Sequence, residues 1–392
     1  MEKTTTVRLL TSVALVATVT TTLASASPTL AKHKPEFTTV ISGLNAPRGL
    51  TFDGSNNLYV AESGTAGPGP AGLTNTGKVT KFRHGSLNPV WSTSFESIYA
   101  TEDPSAPPDV LGPAGISAVG DCKDDHGKDN GCQIRVVLGE SHDGVSAATS
   151  GGVNTHDAGH LFSLNPATGA RTDVSDVGDQ MYQFTTDNKA LFPDDFPDSN
   201  SFGVLVTAGQ GNKSARTFVA DAGANTISEV LANGSVRVIA YIPNESAPPF
   251  RDATPTCIAM GPDGMLYVAT LHFVANLFVF GSGQSDVWRV DPNANFPTSP
   301  TLWTSGLTTP TSCMFDRDGN FWATEMFQPN NAGAPGDVVK FPFRHPNRLT
   351  RMGLGSVPLP GGIAEGPDGS MYVTVNSANP TIGSGAVVKI TM

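Results

Sequence analysis

One local pattern recurs four times along the chain: an apolar run of period two, a tight turn around Asp-Gly or Gly-Ser-Asn, and a second run rich in aromatic and β-branched residues. The copies are APRGLTFDGSNNLYVAES at 46–63, TPTCIAMGPDGMLYVATL at 254–271, TPTSCMFDRDGNFWATEM at 309–326 and LPGGIAEGPDGSMYVTVN at 359–376. Each copy predicts a tight antiparallel hairpin. Repeats at this spacing are typical of the blades of a β-propeller.

Strand-like segments after the hairpins set the number of blades. They lie at 77–83, 159–166, 225–231, 285–292, 336–342 and 385–392. Two further hairpins with altered turns fit at 112–141 and 201–223. We therefore predict an all-β chain in which residues 37–392 form one six-bladed β-propeller domain of four-stranded blades.

The last blade lacks a fourth strand, because the chain ends at Met392 directly after its third. The segment FTTVISGL at 37–44 precedes the first blade and has the composition of a strand. We expect it to complete the last blade, since this closure leaves no free sheet edge between the two termini.

The first residues are typical of a secretory signal peptide. Lys3 and Arg8 precede an apolar stretch, and the small residues ASA at 24–26 offer a cleavage site, with a second possible cut after Ala31. A signal peptide over 1–26 predicts a secreted protein, extracellular or periplasmic. The apolar stretch is too short to span a bilayer, so we expect no membrane insertion.

The formal net charge of −11 disfavours nucleic acid as a partner, because binding the phosphate backbone needs a basic surface. The expected partner is a small molecule or a protein, and we expect the chain to be a monomer.

Four cysteines in an exported chain point to disulfides rather than metal ligands. Cys122 and Cys132 flank a polar loop and are predicted to pair across the hairpin of the second blade. Cys257 and Cys313 occupy nearly equivalent places in neighbouring blades, but Cys257 aligns with Ser312. The side chains of Cys257 and Cys313 would then point to opposite faces of their strands. Both a second disulfide and two buried free thiols remain open for this pair.

Motifs of known catalytic chemistry are weak in this chain. The spacing of Gly67, Gly69 and Gly72 matches the dinucleotide-binding glycine pattern, but two prolines interrupt it and no helix follows. His142, His156 and His160 cluster in the second blade and could gather a metal, although the glycines and serines around them favour a plain loop.

The chain resembles the ScyD/ScyE proteins, which are exported propellers related to NHL-repeat proteins. The resemblance runs nearly from end to end and is carried by GLNAPRGLTFDGSNNLYVAESG at 43–64, DSNSFGVLV…TFVADAGANTISEVLANGSVRVIA at 198–240, ATPTCIAMGPDGMLYVATL at 253–271 and LPGGIAEGPDGSMYVTVNS at 359–377. It implies export and a propeller fold. It carries no agreed reaction, so it transfers no catalytic residues.

The longest connections fall between second and third strands, at 63–76, 141–158, 271–284, 326–335 and 375–384. In a propeller these connections share one face with the starts of the first strands, and loops gathered over a rigid scaffold suggest a binding surface. The candidate ligand-binding residues at the central mouth of this face are Glu62, Glu140, Asp221 and Glu325, where second strands end, and Arg48 and Phe202, where first strands begin. The alternative is that the acids cap turns and hold loop amides.

Two classes of function remain. The first is a secreted binding or interaction propeller without turnover, which suits the weak catalytic motifs. The second is a metal-dependent hydrolase, lactonase or lyase, in which the acids would hold a divalent cation such as Ca²⁺. The first class is favoured, because the aligned positions at the mouth supply acids but no histidine.

Overall fold

The repeated hairpins fold into six antiparallel sheets arranged around one axis. The computed structural model describes residues 34–67, 72–100, 109–122, 130–148, 153–191, 197–209, 214–244, 252–329, 335–379 and 381–392. Residues 35–392 form one compact unit. The predicted signal peptide lies outside the described residues.

Six blades confirm the prediction, and each contains four strands in antiparallel order. Blade 1 contains β2 (Pro47–Phe52), β3 (Leu58–Glu62), β4 (Thr74–Phe82) and β5 (Pro89–Ala100), and β6 (Asp109–Leu111) adds to its outer edge. Blade 2 contains β7 (Pro113–Asp121), β8 (Asn130–Leu138), β9 (His160–Leu164) and β10 (Arg171–Asp176). Blade 3 contains β11 (Ser201–Thr207), β12 (Arg216–Asp221), β13 (Thr226–Val230) and β14 (Val236–Tyr241).

The second half of the ring repeats this order. Blade 4 contains β15 (Pro255–Met260), β16 (Leu266–Thr270), β17 (Ser285–Val290) and β18 (Thr301–Leu307). Blade 5 contains β19 (Pro310–Phe315), β20 (Asn320–Glu325), β21 (Gly336–Pro342) and β22 (Thr350–Val357). Blade 6 contains β23 (Ile363–Glu365), β24 (Met371–Val375), β25 (Gly385–Thr391) and β1 (Glu36–Leu44).

Helices occur only as short connections in the part of the chain that the structure describes. They are α1 (His142–Ala148), α2 (Val177–Asp187), a 3₁₀ turn (Lys189–Leu191) and a single π turn (Ala275–Val279). Asp176 caps the N-terminus of α2, and its side chain accepts a hydrogen bond from the backbone N–H of Asp179. No helix among the described residues is long and apolar enough to cross a membrane.

Strand β1 closes the ring as the sequence predicts. It pairs antiparallel with β25, from Glu36 opposite Thr391 to Leu44 opposite Gly385. The first strands of successive blades contact one another around the axis, and β23 of blade 6 contacts β2 of blade 1. The two ends of the described chain therefore belong to one sheet.

The hydrophobic core is divided among the six junctions between consecutive blades. Tyr59 and Phe95 of blade 1 pack with Ile134 of blade 2, and each of the other junctions has a comparable buried cluster. Both faces of each sheet are covered because every blade has two neighbours. Side chains on both faces of each strand therefore lose contact with water.

The Asp residues of the hairpin turns hold aromatic residues of the second strands. In blade 1 the hydroxyl of Tyr59 donates to Asp53 Oδ2 at 2.8 Å. In blade 5 the indole N–H of Trp322 donates to Asp316 Oδ2 at 2.7 Å, and Lys340 Nζ lies 3.5 Å from the same oxygen. A buried polar tip needs such a partner. The recurring Asp therefore forms the turn and also accepts the hydrogen bond that the buried aromatic side chain donates.

Two disulfides cross-link the ring. Cys122–Cys132 joins the end of β7 to β8, which confirms the predicted bridge of blade 2. Cys257–Cys313 joins β15 of blade 4 to β19 of blade 5. Disulfides are typical of proteins that mature in an oxidising environment.

Candidate functional site

The first strands of all six blades line a cavity of about 400 Å³ on the axis of the ring. The cavity has two ends. One end, called the start end, is formed by the first residues of these strands. The opposite end, called the turn end, is formed by their last residues, next to the hairpin turns. The start end lies on the loop face, which carries the long connections between second and third strands. Phe52, Met260 and Phe315 line the turn end.

A β-bulge at the start of the first strand sets one residue of each of blades 1 to 5 against the cavity. In blade 1, Pro47 lies opposite Glu62 and Gly49 opposite Ala61, so Arg48 is left out of the ladder. The same irregularity recurs in blades 2 to 5. The five bulge residues are Arg48, Ala114, Phe202, Thr256 and Thr311, and all of them line the cavity. A bulge of this kind re-aims a side chain.

The five bulge residues are two threonines, one alanine and two residues with long side chains. The hydroxyl of Thr256 donates to the carbonyl of Pro310 at 2.6 Å, and that of Thr311 donates to the carbonyl of Pro360 at 2.7 Å. Each threonine thus ties its blade to the next one. Long side chains take the same place in blades 1 and 3.

Arg48 and Phe202 meet across the start end of the cavity. Their blades are not neighbours, and the bulge residue of blade 2 between them is the small Ala114. The Arg48 guanidinium carbon lies 5.6 Å from the centre of the Phe202 ring. Only 7% of Arg48 is exposed. The structure confirms that the two residues occupy equivalent positions and adds that they contact each other.

Glycines let neighbouring first strands approach closely around the cavity. A Cβ at Gly49 would lie 2.5 Å from the carbonyl oxygen of Ala114, and one at Gly115 would lie 2.5 Å from that of Phe202. No side chain fits in such gaps. The wall at these junctions is therefore backbone, which keeps the cavity narrow and its shape rigid.

Three of the four predicted acids hold the loops that lead into the first strands of their own blades. Glu62 accepts the backbone N–H of Asn45 at 2.8 Å. Asp221 accepts that of Asn200 at 2.9 Å and Glu325 that of Thr308 at 2.8 Å. All three carboxylates are fully buried, and none of them lines the cavity. The structure therefore agrees with the alternative, in which the acids secure loop amides.

Glu140 does not hold the position that the sequence alignment assigned to it. Pro113 of β7 lies opposite Leu138, whereas Pro47 of β2 lies opposite Glu62. Leu138 is thus the residue equivalent to Glu62, and Glu140 follows two residues later with a positive φ of 66°. The alignment was wrong here because the connection between β7 and β8 is longer than that between β2 and β3, so spacing along the sequence does not set the register of this pair.

The four acids do not converge on a cation site. Among the described residues, no group of three or more His, Cys, Asp and Glu side chains is placed to hold a metal ion. His142 contacts Thr155, while His160 lies 2.9 Å from Asp173. The predicted Ca²⁺ ligands therefore lie in separate blades, and Glu62, Asp221 and Glu325 each accept an amide of their own loop.

Blade 5 contains a buried pair of carboxyl groups beside one guanidinium. Glu325 lies opposite Asp337 in the ladder, and Arg351 of the next strand contacts Glu325 and donates to Asp337 at 3.0 Å. Burial raises the pKa of Glu325 to about 8; Arg351 opposes this shift and Asp337 adds to it. Burial also raises the pKa of Asp337.

The raised pKa of Glu325 predicts that stability falls as the pH increases. The folded protein holds this proton more tightly than the unfolded chain, so the contribution is complete below about pH 4.5 and is lost as the pH rises through about 8. Between these values the slope is at most about 1.4 kcal/mol per pH unit. We expect Glu325→Gln to reduce this slope in chemical denaturation series between pH 5 and pH 9.

Glu62→Gln is the matched control, because it makes the same change at a residue that also accepts a loop amide. Glu62 faces Lys78 instead of a second carboxyl group, so this variant tests for effects of the loop contact alone. A stability difference between the parent protein and Glu325→Gln that stays constant across the pH series would contradict the prediction.

The Cys257–Cys313 disulfide belongs to the wall of the cavity. Both cysteines line it, and both are buried in the apolar cluster between blades 4 and 5. As the sequence alignment predicted, Ser312 is the residue equivalent to Cys257, and Cys313 lies one residue further along the strand. That offset favours the bond, because one side chain points to the following blade and the other to the preceding blade.

The bulge residues Ala114, Thr256 and Thr311 were missed as part of the site by sequence reasoning. A signal was present, since each is the residue after the proline that begins a first strand. At the turn end, Arg317 and Glu365 were also missed. The backbone N–H of Arg317 donates to Glu365 Oε2 at 2.9 Å, and both residues line the cavity.

An apolar ridge projects from the loop face of blade 4 over residues 273–280. Phe278 is 73% exposed and Val274 is 52% exposed, and Val279 and Phe280 are also exposed. The ring of Phe273 contacts those of Phe278 and Phe327. No Asp, Glu, Lys or Arg occurs between residues 271 and 285.

No protein-family model matches the chain, and no curated protein matches it. Solved structures do resemble it. The PQQ domain of a pyranose dehydrogenase from Coprinopsis cinerea, in its holo form, has a TM-score of 0.50 at 13% identity, over 92% of this chain and 98% of that one.

Two further solved structures are similar over comparable lengths. The PQQ-bound aldose sugar dehydrogenase from Streptomyces coelicolor has a TM-score of 0.47 at 12% identity, over 91% of this chain and 98% of that one. The virginiamycin B lyase from Staphylococcus aureus has a TM-score of 0.44 at 12% identity, over 92% of this chain and 100% of that one. The six blades are shown by the sheets of this chain itself, and because one fold supports unrelated activities, its function has to be argued from its own residues.

Proposed function

We propose that the chain is an exported propeller of the ScyD/ScyE type that binds a small molecule in its central cavity and does not convert it. The observation that carries this proposal is the contact between Arg48 and Phe202. Two long side chains from blades that are not neighbours are brought together at one end of a cavity by equivalent bulges.

The cavity has the properties of a ligand site. Its volume of about 400 Å³ falls in the range of small-molecule pockets. Its lining combines apolar side chains, among them Ile116, Val204 and Ile258, with polar groups that include Arg48, and it exposes somewhat more polar than apolar surface.

The composition of the lining favours binding over turnover. The described lining residues include no histidine, no aspartate and no free thiol, since both cysteines are in a disulfide. Its one glutamate, Glu365, accepts a hydrogen bond from Arg317. A nucleophile with an adjacent base is therefore missing from this lining. The metal-dependent alternative has no ligand group among the described residues.

Export is supported by two features that fit together. The N-terminal residues are typical of a signal peptide, and the two disulfides suit an oxidising compartment.

A neutral fluorescent dye tests the proposal. N-phenyl-1-naphthylamine, which becomes fluorescent in apolar surroundings, should bind at one site per chain. Ala114→Phe should abolish this binding by filling the start end of the cavity, and the fold should tolerate it because blade 3 carries Phe202 at the equivalent bulge.

Phe278→Ser is the matched control, because it removes an exposed ring from the apolar ridge outside the cavity. We expect this variant to bind the dye as the parent protein does. Absence of binding to the parent protein, or binding that Ala114→Phe leaves unchanged, would refute a ligand site in the cavity.

A further inference from the structure

We infer that Arg135 forms a binding site for a small oxyanion, such as phosphate or sulfate, between blades 2 and 3. The site lies in the half of the ring nearer the hairpin turns, at the level of the aromatic residues of the second strands. Arg135 is not part of the cavity lining, so this inference goes beyond the proposed function and does not rest on it.

Arg135 stands where the other five blades have an aromatic residue. Ser117 of β7 lies opposite Arg135 in the ladder, as Thr51 of β2 lies opposite Tyr59. The corresponding residues of the other four second strands are Phe218, Tyr267, Trp322 and Tyr372. Blade 2 therefore replaces an aromatic ring with a cation.

The side chain of Arg135 faces blade 3. Residues directly opposite each other in a ladder share one face of the sheet, and the hydroxyl of Ser117 accepts the backbone N–H of Val206 in blade 3 at 3.0 Å. Arg135 is half-buried there. Burial lowers the pKa of Arg135, and no carboxylate of the described residues opposes this shift. The cation thus lies between two sheets without an acidic partner among the described residues.

Blade 5 shows how a cation at this level is usually compensated. Lys340 lies opposite Trp322 in the ladder, with its Nζ 4.7 Å from the centre of the indole ring and 3.5 Å from Asp316 Oδ2. In blade 2 the residue opposite Arg135 on the third strand is Ser163. A hydroxyl group does not neutralise a guanidinium, so the charge of Arg135 is available to a ligand.

One edge of the Arg135 guanidinium has no acceptor. Nη1 donates to the carbonyl of Ile134 at 3.3 Å and to Ser163 Oγ at 2.7 Å. Nε is buried and has no hydrogen-bond partner. Nη2 also lacks an acceptor among the described residues, but it is not buried. A buried donor without an acceptor is costly, so a ligand that reaches this edge gains from completing it.

Arg216 of blade 3 shows what the same edge binds when an acid is present. Its Nε donates to Glu229 Oε1 at 2.6 Å, and its Nη2 donates to Glu229 Oε2 at 3.0 Å. Two parallel bonds of this kind match the oxygens of a carboxylate, sulfate or phosphate group. Arg135 offers the same two donors without a carboxylate beside them, and an oxyanion that enters at Nη2 would satisfy both.

Nuclear magnetic resonance titration with inorganic phosphate tests the site at the atom concerned. In protein containing isotope-labelled arginine, the Arg135 Nε–H signal is the one that Arg135→Met removes. This signal should shift saturably with phosphate and with sulfate, but not with chloride at the same ionic strength. Phosphate should also raise the melting temperature of the parent protein, because a ligand of the folded state stabilises it.

Arg135→Met should weaken phosphate binding about 10- to 100-fold, the range expected for charge-assisted hydrogen bonds. Arg135→Tyr is the second variant, and it should fold because the other five blades carry an aromatic residue at this position. Its melting temperature should rise less with phosphate than that of the parent protein.

Arg289→Met is the matched control, because the Nε of Arg289 already donates to Asp263 at 2.8 Å. We expect this variant to respond to phosphate as the parent protein does. An Arg135 signal that phosphate does not move, or that chloride moves equally, would overturn the site. Equal stabilisation of the parent protein and Arg135→Tyr by phosphate would do the same, since it would reflect a general salt effect on folding.

Discussion

A chain that begins at residue 45 should aggregate, whereas a chain that begins at residue 34 should fold. Removing β1 exposes the backbone edge of β25 and uncovers apolar residues of two inter-blade clusters. Among these, Leu44 is almost fully buried, and Phe37, Val40 and Ile41 are partly buried. At about 1.5–3 kcal/mol for each fully buried side chain, the loss reaches roughly 4–8 kcal/mol. A whole domain is stable by only about 5–15 kcal/mol.

Light scattering and chemical denaturation of the two chains measure this effect. A synthetic peptide of residues 35–45 should restore the monodisperse, folded state of the shortened chain, because it can pair with β25 in the place of β1. A peptide of the same composition in scrambled order should not. A shortened chain as stable as the control would show that β1 contributes little to closure of the ring.

Replacing both Cys257 and Cys313 with serine should destabilise the protein by about 4 kcal/mol if the bond acts through chain entropy. The bond closes a large loop, since the two cysteines are 56 residues apart. It also links innermost strands of two blades, so its loss should loosen the cavity wall as well as the junction. Chemical denaturation under oxidising conditions gives the free energy, and dye titration reports on the cavity.

Cys122→Ser with Cys132→Ser is the matched control, because that bond spans only 10 residues of one hairpin. The same entropy argument gives roughly 3 kcal/mol for this pair. It should leave dye binding unchanged. The interpretation fails if the control costs as much as loss of Cys257–Cys313, or if loss of Cys257–Cys313 has no effect on dye affinity.

The acids illustrate why residue type alone did not identify the site. Glu62, Asp221 and Glu325 were candidates because acids recur where second strands end. Each is buried, and each accepts an amide from the loop that leads to its own first strand. A carboxylate that accepts backbone N–H groups secures a loop, and this use is indistinguishable in sequence from a ligand position.

Local sequence determined the architecture of this protein. Period-two runs, turn residues and the missing fourth strand predicted six blades and closure by 37–44, because hairpin formation and strand count depend on residues close together in the chain. The bond between Cys122 and Cys132 was predictable for the same reason.

Only the tertiary structure decided which distant side chains meet. Across blades it joined Cys257 to Cys313 and brought Arg48 to Phe202 past Ala114; within blade 5 it placed Asp337 and Arg351 beside Glu325. The contacts across blades depend on the bulges that re-aim side chains and on the rotation from one blade to the next. Neither the bulges nor this rotation is encoded in the spacing of the repeat. The residues that line the cavity could therefore not be predicted from the sequence.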